Sequence, residues 1–319
     1  MPPARTAFLT KPTHKLGDSV ILATLFAEAI KLEPNLQLFC LGGETMKWAS
    51  PLLSGQVQVI NDLAQLPKRL DTLIHFCAPT LEAVRLANTS RTSRFITEDR
   101  GLLKGFATRR VRRNLPRTTH QVNIWGEYFR LAFPKFPTIT EYLDYRPLLQ
   151  STPETSSSVV INTHTSGSNR PPSPHVISEI IGLCRAQGHR IMLLGGQRCS
   201  VAESLLKDHP TAQIIRPSGI QQLANLLASA KLVITPDTGP AHLAAALRVP
   251  VIDLYCKALL PSERWTPLAP KVALIRPQRG CPSCLARNRC HHGKYPDDTC
   301  TESFDLDQIS TVIRSLVAG

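Results

Sequence analysis

No run of apolar residues in this chain of 319 residues reaches the roughly 18–20 that a membrane span needs. The N-terminal MPPARTAFLTKPTHKLGDS lacks the long apolar stretch of a secretory signal. Together these absences predict a cytoplasmic address. Acidic residues are the scarce charge, with 24 Asp/Glu against 37 Lys/Arg and a formal net charge of +13. Aromatic residues are only 6% of the chain, and no recognised nucleic-acid module is present. No DxD-type carboxylate pair suggests a site for a divalent metal, and no short-period repeat or low-complexity tract is present.

What is present is enough for two domains, because 319 residues exceed what one hydrophobic core usually serves. Residues 1–150 hold 20 Lys/Arg against 12 Asp/Glu, a net of +8, and residues 151–319 hold 17 against 12, a net of +5. The basic excess is therefore larger in the first half. It would attract nucleic acid, anionic lipid or a phosphorylated glycan, and charge alone does not choose among them.

The segment 151–158, Ser-Thr-Pro-Glu-Thr-Ser-Ser-Ser, has no apolar residue and reads as a linker between a domain at 1–150 and one at 159–319. On both sides short apolar runs alternate with helical patterns. Strands are expected at 6–9, 36–41, 57–60, 72–77 and 94–97, then at 159–163, 190–195, 213–216, 231–235, 249–254 and 272–275. Helices are expected at 18–32, 80–88 and 119–132, then at 174–187, 200–207, 220–230, 240–247 and 305–317. The alternation predicts two doubly wound, Rossmann-like α/β domains facing across a cleft, with ligands beyond the carboxyl ends of the strands.

The stretch KLVITPDTGPAHLAAALRVPVIDLY carries the most information. An apolar run ends at Thr235, a turn follows through Asp237, Thr238 and Gly239, and a helix begins at Pro240, whose missing N–H costs nothing there. A helix N-terminus at a strand end offers free N–H groups and a dipole to a diphosphate. Gly239 allows close approach, and His242 lies near enough to reach a phosphate or sugar hydroxyl. The plainer alternative is that Asp237 or Thr238 caps the helix and His242 packs. KLGDSVILATLFAEAIK places Asp18 where a loop becomes an apolar helix, as a cap or as a carboxylate at the cleft edge. VVINTHTSGSNRPPS is a strand, a loop of small polar residues and a helix start; Thr165 and Ser166 offer hydroxyls and Arg170 a cation.

Of nine cysteines, Cys40, Cys77, Cys184, Cys199 and Cys256 are scattered, while Cys281, Cys284, Cys290 and Cys300 cluster. Four thiolates with a CxxC bite can hold one structural zinc or iron ion; buried thiols and a disulfide are the alternatives. Residues 100–117, RGLLKGFATRRVRRNLPR, contain seven Lys/Arg and no acid. Nucleic-acid binding and a solvated loop are two readings of this segment.

The D-[ST]-G-P-x-H-x-A-A-A-L-x-x-P pattern closely resembles the signature of glycosyltransferase family 9, the heptosyltransferases. The segment around Asp18, THTSGSNRPPS, the later MLLGG and the cysteine cluster match in order and approximate spacing, so the resemblance covers most of the chain. It implies the GT-B architecture and inverting transfer of heptose from ADP-heptose to a hydroxyl of the lipopolysaccharide inner core, with the donor on the second domain and the acceptor on the first. Asp18 becomes the general base, with Lys15 beside it for an anionic ligand. Thr165, Ser166, Arg170, Asp237, Thr238, Gly239 and His242 become the donor clamp, and no catalytic cofactor is required. Family members commonly carry a Lys before a Trp-Pro pair; here Arg170 and Pro172-Ser173 stand in those places. Arg109, Arg110, Arg112 and Arg113 would face an acidic glycolipid and the anionic inner-membrane surface, making the enzyme peripheral to that membrane, with no nucleic-acid partner expected. Rival expectations are a protein heptosyltransferase of the autotransporter-modifying kind acting on serine, a basic nucleic-acid binder, and a sugar-nucleotide epimerase.

Overall fold

The computed structural model describes residues 4–9, 15–77, 79–112, 115–150, 157–165, 171–196, 200–256, 261–286 and 299–318. The chain divides between Leu148 and Leu149 into two compact units.

Unit 1 runs β1 (Arg5–Leu9), α1 (Leu16–Leu32), β2 (Gln37–Leu41), α2 (Glu44–Ala49), β3 (Val57–Ile60), β4 (Thr72–His75), α3 (Leu81–Thr89), β5 (Arg94–Glu98), β6 (Arg109–Val111) and α4 (Gln121–Ala132). Its six strands pair in parallel in the order β3-β2-β1-β4-β5-β6. Unit 2 runs β7 (Ser158–Asn162), α5 (Pro174–Ala186), β8 (Arg190–Leu194), α6 (Ser200–Asp208), β9 (Gln213–Ile215), α7 (Ile220–Ser229), β10 (Leu232–Pro236), α8 (Gly239–Ala246), β11 (Val251–Leu254), β12 (Val272–Ile275), the short α9 (Pro282–Ala286) and α10 (Leu306–Val317). Its six strands, also parallel, lie in the order β12-β11-β10-β7-β8-β9. Counted from one to six within each unit, both sheets have the order 3-2-1-4-5-6. Each therefore has a switch point, between β1 and β4 in unit 1 and between β7 and β10 in unit 2. The carboxyl ends of those two strands are where open sheets of this kind take ligands.

The strands read as nearly continuous aliphatic runs because helices cover both faces. On one face of the unit 2 sheet, Ile161, Leu193, Ile234 and Ile252 pack with Ile177, Ile180 and Ile181 of α5 and with Ile309 and Ile313 of α10. Helix α1 of unit 1 is buried over most of its circumference, from Gly17 to Ala29, so its sequence shows little amphipathic contrast. Phe26 of α1 meets Phe129 of α4 at 6.2 Å between ring centroids, and Phe129 meets Phe76 at 6.2 Å and Phe136 at 4.9 Å. Most of the chain's few aromatic rings thus lie in this unit 1 core.

The expected strands and helices all form, each within a few residues of its expected limits. Three elements are additions: α2, α9 and the edge strand β6. Among the starts that shift, α1 begins at Leu16, so Gly17 and Asp18 lie inside its first turn, and β7 begins at Ser158, which is buried in strand. No helix among the described residues is long and apolar enough to cross a membrane.

Candidate active site

The carboxyl ends of β7 and β10 are joined by side chains. Asn162, the last residue of β7 and only 4% exposed, donates from Nδ2 to Thr235 Oγ1 at 3.0 Å and to Thr238 Oγ1 at 3.2 Å. Its Oδ1 accepts from the backbone N–H of His164 at 3.1 Å. Thr235 and Thr238 bond each other at 3.0 Å, and their hydroxyls reach the Pro236 carbonyl at 2.9 and 3.0 Å. One amide thus ties together the end of β7, the end of β10 and the loop beyond each.

Thr238 is the N-cap of α8, but its side chain makes no hydrogen bond to the helix; its hydroxyl turns back to Asn162 and Thr235. Of the first turn of α8, Pro240 has no N–H and the Ala241 N–H bonds the Thr238 carbonyl at 3.0 Å, so what the helix start offers an anion is chiefly the Gly239 amide and the helix dipole. Gly239 opens the helix, with Pro240 next in its first turn, one place later than expected from sequence. His242 is buried at 3% exposure, and burial holds its imidazole below the usual histidine range against the opposing pull of the Asp237 carboxylate. Asp237 is itself buried.

On the β7 side, Thr165 is half-buried and His164 exposed. A Cβ at Gly196, just past β8, would lie in ordinary van der Waals contact with the His164 ring at 3.4 Å. Ser166 and Arg170 lie outside the described residues. Asp237, Thr238, Gly239, His242 and Thr165 are therefore gathered at one switch point. Asn162 and Thr235 complete the group and were missed from sequence. The available signal was a polar residue ending each of two apolar runs, VVIN and LVIT.

In unit 1, Lys15 is the exposed N-cap of α1, with no side-chain bond to the helix. Asp18, in the first turn, accepts from the Lys15 backbone N–H, which is half of a capping box. Burial raises the Asp18 carboxyl above the usual carboxylate range, outweighing the lowering by that N–H and by the Lys15 ammonium. The residue thus caps its helix and is also a desolvated carboxylate, hence a stronger base than an exposed one.

The arginines at 109, 110 and 112 are exposed on and beside β6; Arg113 lies outside the described residues. The segment is acid-free only within its own limits. Asp99, one residue before it, meets Lys104 at 3.5 Å, Arg110 at 3.5 Å and Arg112 at 3.8 Å, and Glu98 meets Arg100 at 2.5 Å.

Cys281 and Cys300 are buried, while Cys290 and the side chain of Cys284 lie outside the described residues. Ser303 Oγ accepts from the Arg279 N–H at 3.1 Å and reaches the Arg279 carbonyl at 3.1 Å, and Thr299 Oγ1 donates to the Gly280 carbonyl at 3.3 Å. These bonds clip the two cysteine-bearing stretches side by side. Among the described residues no group of three or more His, Cys, Asp or Glu side chains could hold a metal ion.

Two six-stranded parallel sheets of one doubly wound order are those of the GT-B architecture. The chain superposes on E. coli heptosyltransferase WaaC with ADP at a TM-score of 0.73, with 16% identity over 98% of this chain and 99% of that one. For E. coli ADP-heptose lps heptosyltransferase II the values are 0.67, 15%, 99% and 98%. For the iron-containing dodecameric heptosyltransferase TibC of enterotoxigenic E. coli, in complex with ADP-D-β-D-heptose, they are 0.54, 17%, 99% and 76%. Residues 143–295 match the model of Glycosyltransferase family 9 (heptosyltransferase). No curated protein matches the sequence.

Proposed function

We propose that the chain is an inverting heptosyltransferase that moves heptose from ADP-heptose to a hydroxyl of the lipopolysaccharide inner core. The observation that carries this reading is the clipped switch point of unit 2. Asn162, Thr235 and Thr238 hold the start of α8 at the carboxyl ends of β7 and β10, inside the region matched by the family. The N-terminal end of α8 with its dipole, the hydroxyls of Thr165 and Ser166, and His242 bind the donor diphosphate, and Arg170 adds positive charge. Asp237 holds the turn or a sugar hydroxyl.

Asp18 of unit 1 accepts the proton of the acceptor hydroxyl as its oxygen attacks the anomeric carbon. The bond from that carbon to the diphosphate oxygen breaks, its electron pair leaves with ADP, and the configuration inverts. Fixed N–H groups and cations stabilise the leaving diphosphate, so turnover is expected to continue in EDTA. The basic face at Arg109, Arg110, Arg112 and Arg113 attracts the acidic glycolipid and the anionic leaflet on which it is displayed.

Mass spectrometry of lipopolysaccharide from a deletion strain, together with transfer from ADP-heptose to the truncated core in vitro, tests the reading. A core ending before a heptose, restored by the purified enzyme, is the expected result. An intact core and no transfer would refute it. A second reading, transfer to protein serine hydroxyls, is kept by the clip that sets the stretches bearing Cys281 and Cys300 side by side, because TibC is an iron-containing heptosyltransferase. In that case the deletion leaves the core whole and removes heptose from a protein.

A further inference from the structure

The switch point of unit 1 holds a histidine to which the chemistry above gives no role. His75 ends β4, in register with Leu9 at the end of β1, the strand whose loop leads into α1 and Asp18. Its imidazole is half-buried. Nδ1 lies 3.3 Å from the Cys77 carbonyl, which also accepts from Thr97 Oγ1 at 2.5 Å and from the Glu98 N–H at 3.2 Å. A carbonyl can only accept, so Nδ1 carries the proton and Nε2 keeps its lone pair. Three donors meeting on one carbonyl fix the turn after β4, and with it the plane of the ring. Among the described residues Nε2 has no hydrogen-bond partner. Burial keeps the ring below the usual histidine range despite Glu82 and the Cys77 carbonyl, so at neutral pH it stays neutral.

We propose that His75 binds the acceptor, its Nε2 accepting a hydrogen bond from a sugar hydroxyl at the switch point that also carries Asp18. A neutral, orientated acceptor atom at the carboxyl end of β4 suits a hydroxyl donor and gives nothing to a phosphate, which needs donors. Unit 1 would thus meet the glycan with two different groups: Asp18 takes the proton of the reacting hydroxyl, and His75 holds the glycan in place through another. This inference rests on the proposed transfer to a glycolipid.

Two substitutions separate binding from scaffolding. Glutamine can place an acceptor oxygen near the Nε2 position but loses the Nδ1 donor. Asparagine keeps a donor near Nδ1 for the Cys77 carbonyl and loses the Nε2 acceptor. Steady-state kinetics with ADP-heptose and purified heptose-deficient core should show kcat/KM for the acceptor lowered about three- to tenfold in His75→Asn. His75→Gln should lie near the wild type; both variants should keep the cooperative melting of unit 1 in scanning calorimetry, which checks folding, and an unchanged ADP affinity, which checks that unit 2 is untouched. Rescue by asparagine and not glutamine, or two variants indistinguishable from the wild type, would overturn the assignment while leaving the transfer reaction standing. A wild-type enzyme inactive on the core would overturn both.

Discussion

Replacing Asn162 with alanine tests whether one amide holds the donor site together. The side chain makes three bonds at 4% exposure: two donated, to Thr235 and Thr238, and one accepted, from the His164 N–H. The two hydroxyls keep each other and the Pro236 carbonyl, so losing Nδ2 costs each an ordinary bond of about 0.5–1.5 kcal/mol. The His164 N–H loses its acceptor, at about 1–3 kcal/mol less whatever water restores. The loss is therefore about 2–4 kcal/mol. At about 2–4 °C per kcal/mol for a domain of this size, unit 2 should melt about 4–16 °C lower. Because Thr238 sets the start of α8, ADP should also bind about tenfold more weakly or worse, equivalent to about 1.4 kcal/mol. Scanning calorimetry and titration calorimetry with ADP read the two effects separately. A melting temperature within about 2 °C of the wild type and an unchanged Kd would refute the clip.

Asp18→Asn should lower turnover by about 10²–10⁴-fold with ADP affinity intact. Because burial raises the Asp18 carboxyl, its ionised form is the disfavoured one when folded, and the neutral amide, which still accepts from Lys15, should melt no lower than the wild type. His242 titrates below its ordinary 6.5 when buried, so an unfolded chain binds that proton more readily and stability should be full above pH 6.5 and decline below it. In His242→Gln, denaturation at pH 7.5 and 5.5 should show a smaller difference than in the wild type, and an equal difference would contradict the account. Changing Arg109, Arg110, Arg112 and Arg113 to Gln should raise KM for the glycolipid and leave donor affinity alone, with an effect that fades as salt screens exposed charge. Arg109 should contribute more than Arg110 or Arg112, which share Asp99; unaltered acceptor kinetics at low salt would remove this role. Elemental analysis should find close to one zinc or iron per chain if Cys281, Cys284, Cys290 and Cys300 share an ion, and four titratable thiols on a metal-free chain would dismiss it.

The architecture was largely legible because most of the described strands are built on short apolar runs, and eleven of the twelve described strands were expected from them. β6 escaped because Arg109-Arg110-Val111 has no apolar run: it is a sheet edge, paired only with β5 and exposed at both arginines. α2 escaped because six residues are too few to show a period of 3.6. The donor turn was legible through Asp237, Thr238, Gly239 and His242, which are adjacent in sequence. Asn162 was not, because its partners lie more than 70 residues away and only the pairing of β7 with β10 brings them together. The partners of the charge on 100–117 escaped for a related reason: Glu98 and Asp99 stand just before the segment and pair with it only in the folded chain.

The two sheets share no strand: β1 to β6 all come from the first 148 residues and β7 to β12 from the rest. During synthesis, every strand of the first sheet has left the ribosome before any strand of the second has been made. At about 5–20 residues per second, the 171 residues of unit 2 take roughly 10–35 seconds to follow. The nascent chain thus has a long interval in which to bury Phe26, Phe76 and Phe129 before a second set of parallel strands can compete for them. A sheet assembled from both halves would have left those rings exposed for all of that time, in a chain prone to aggregation.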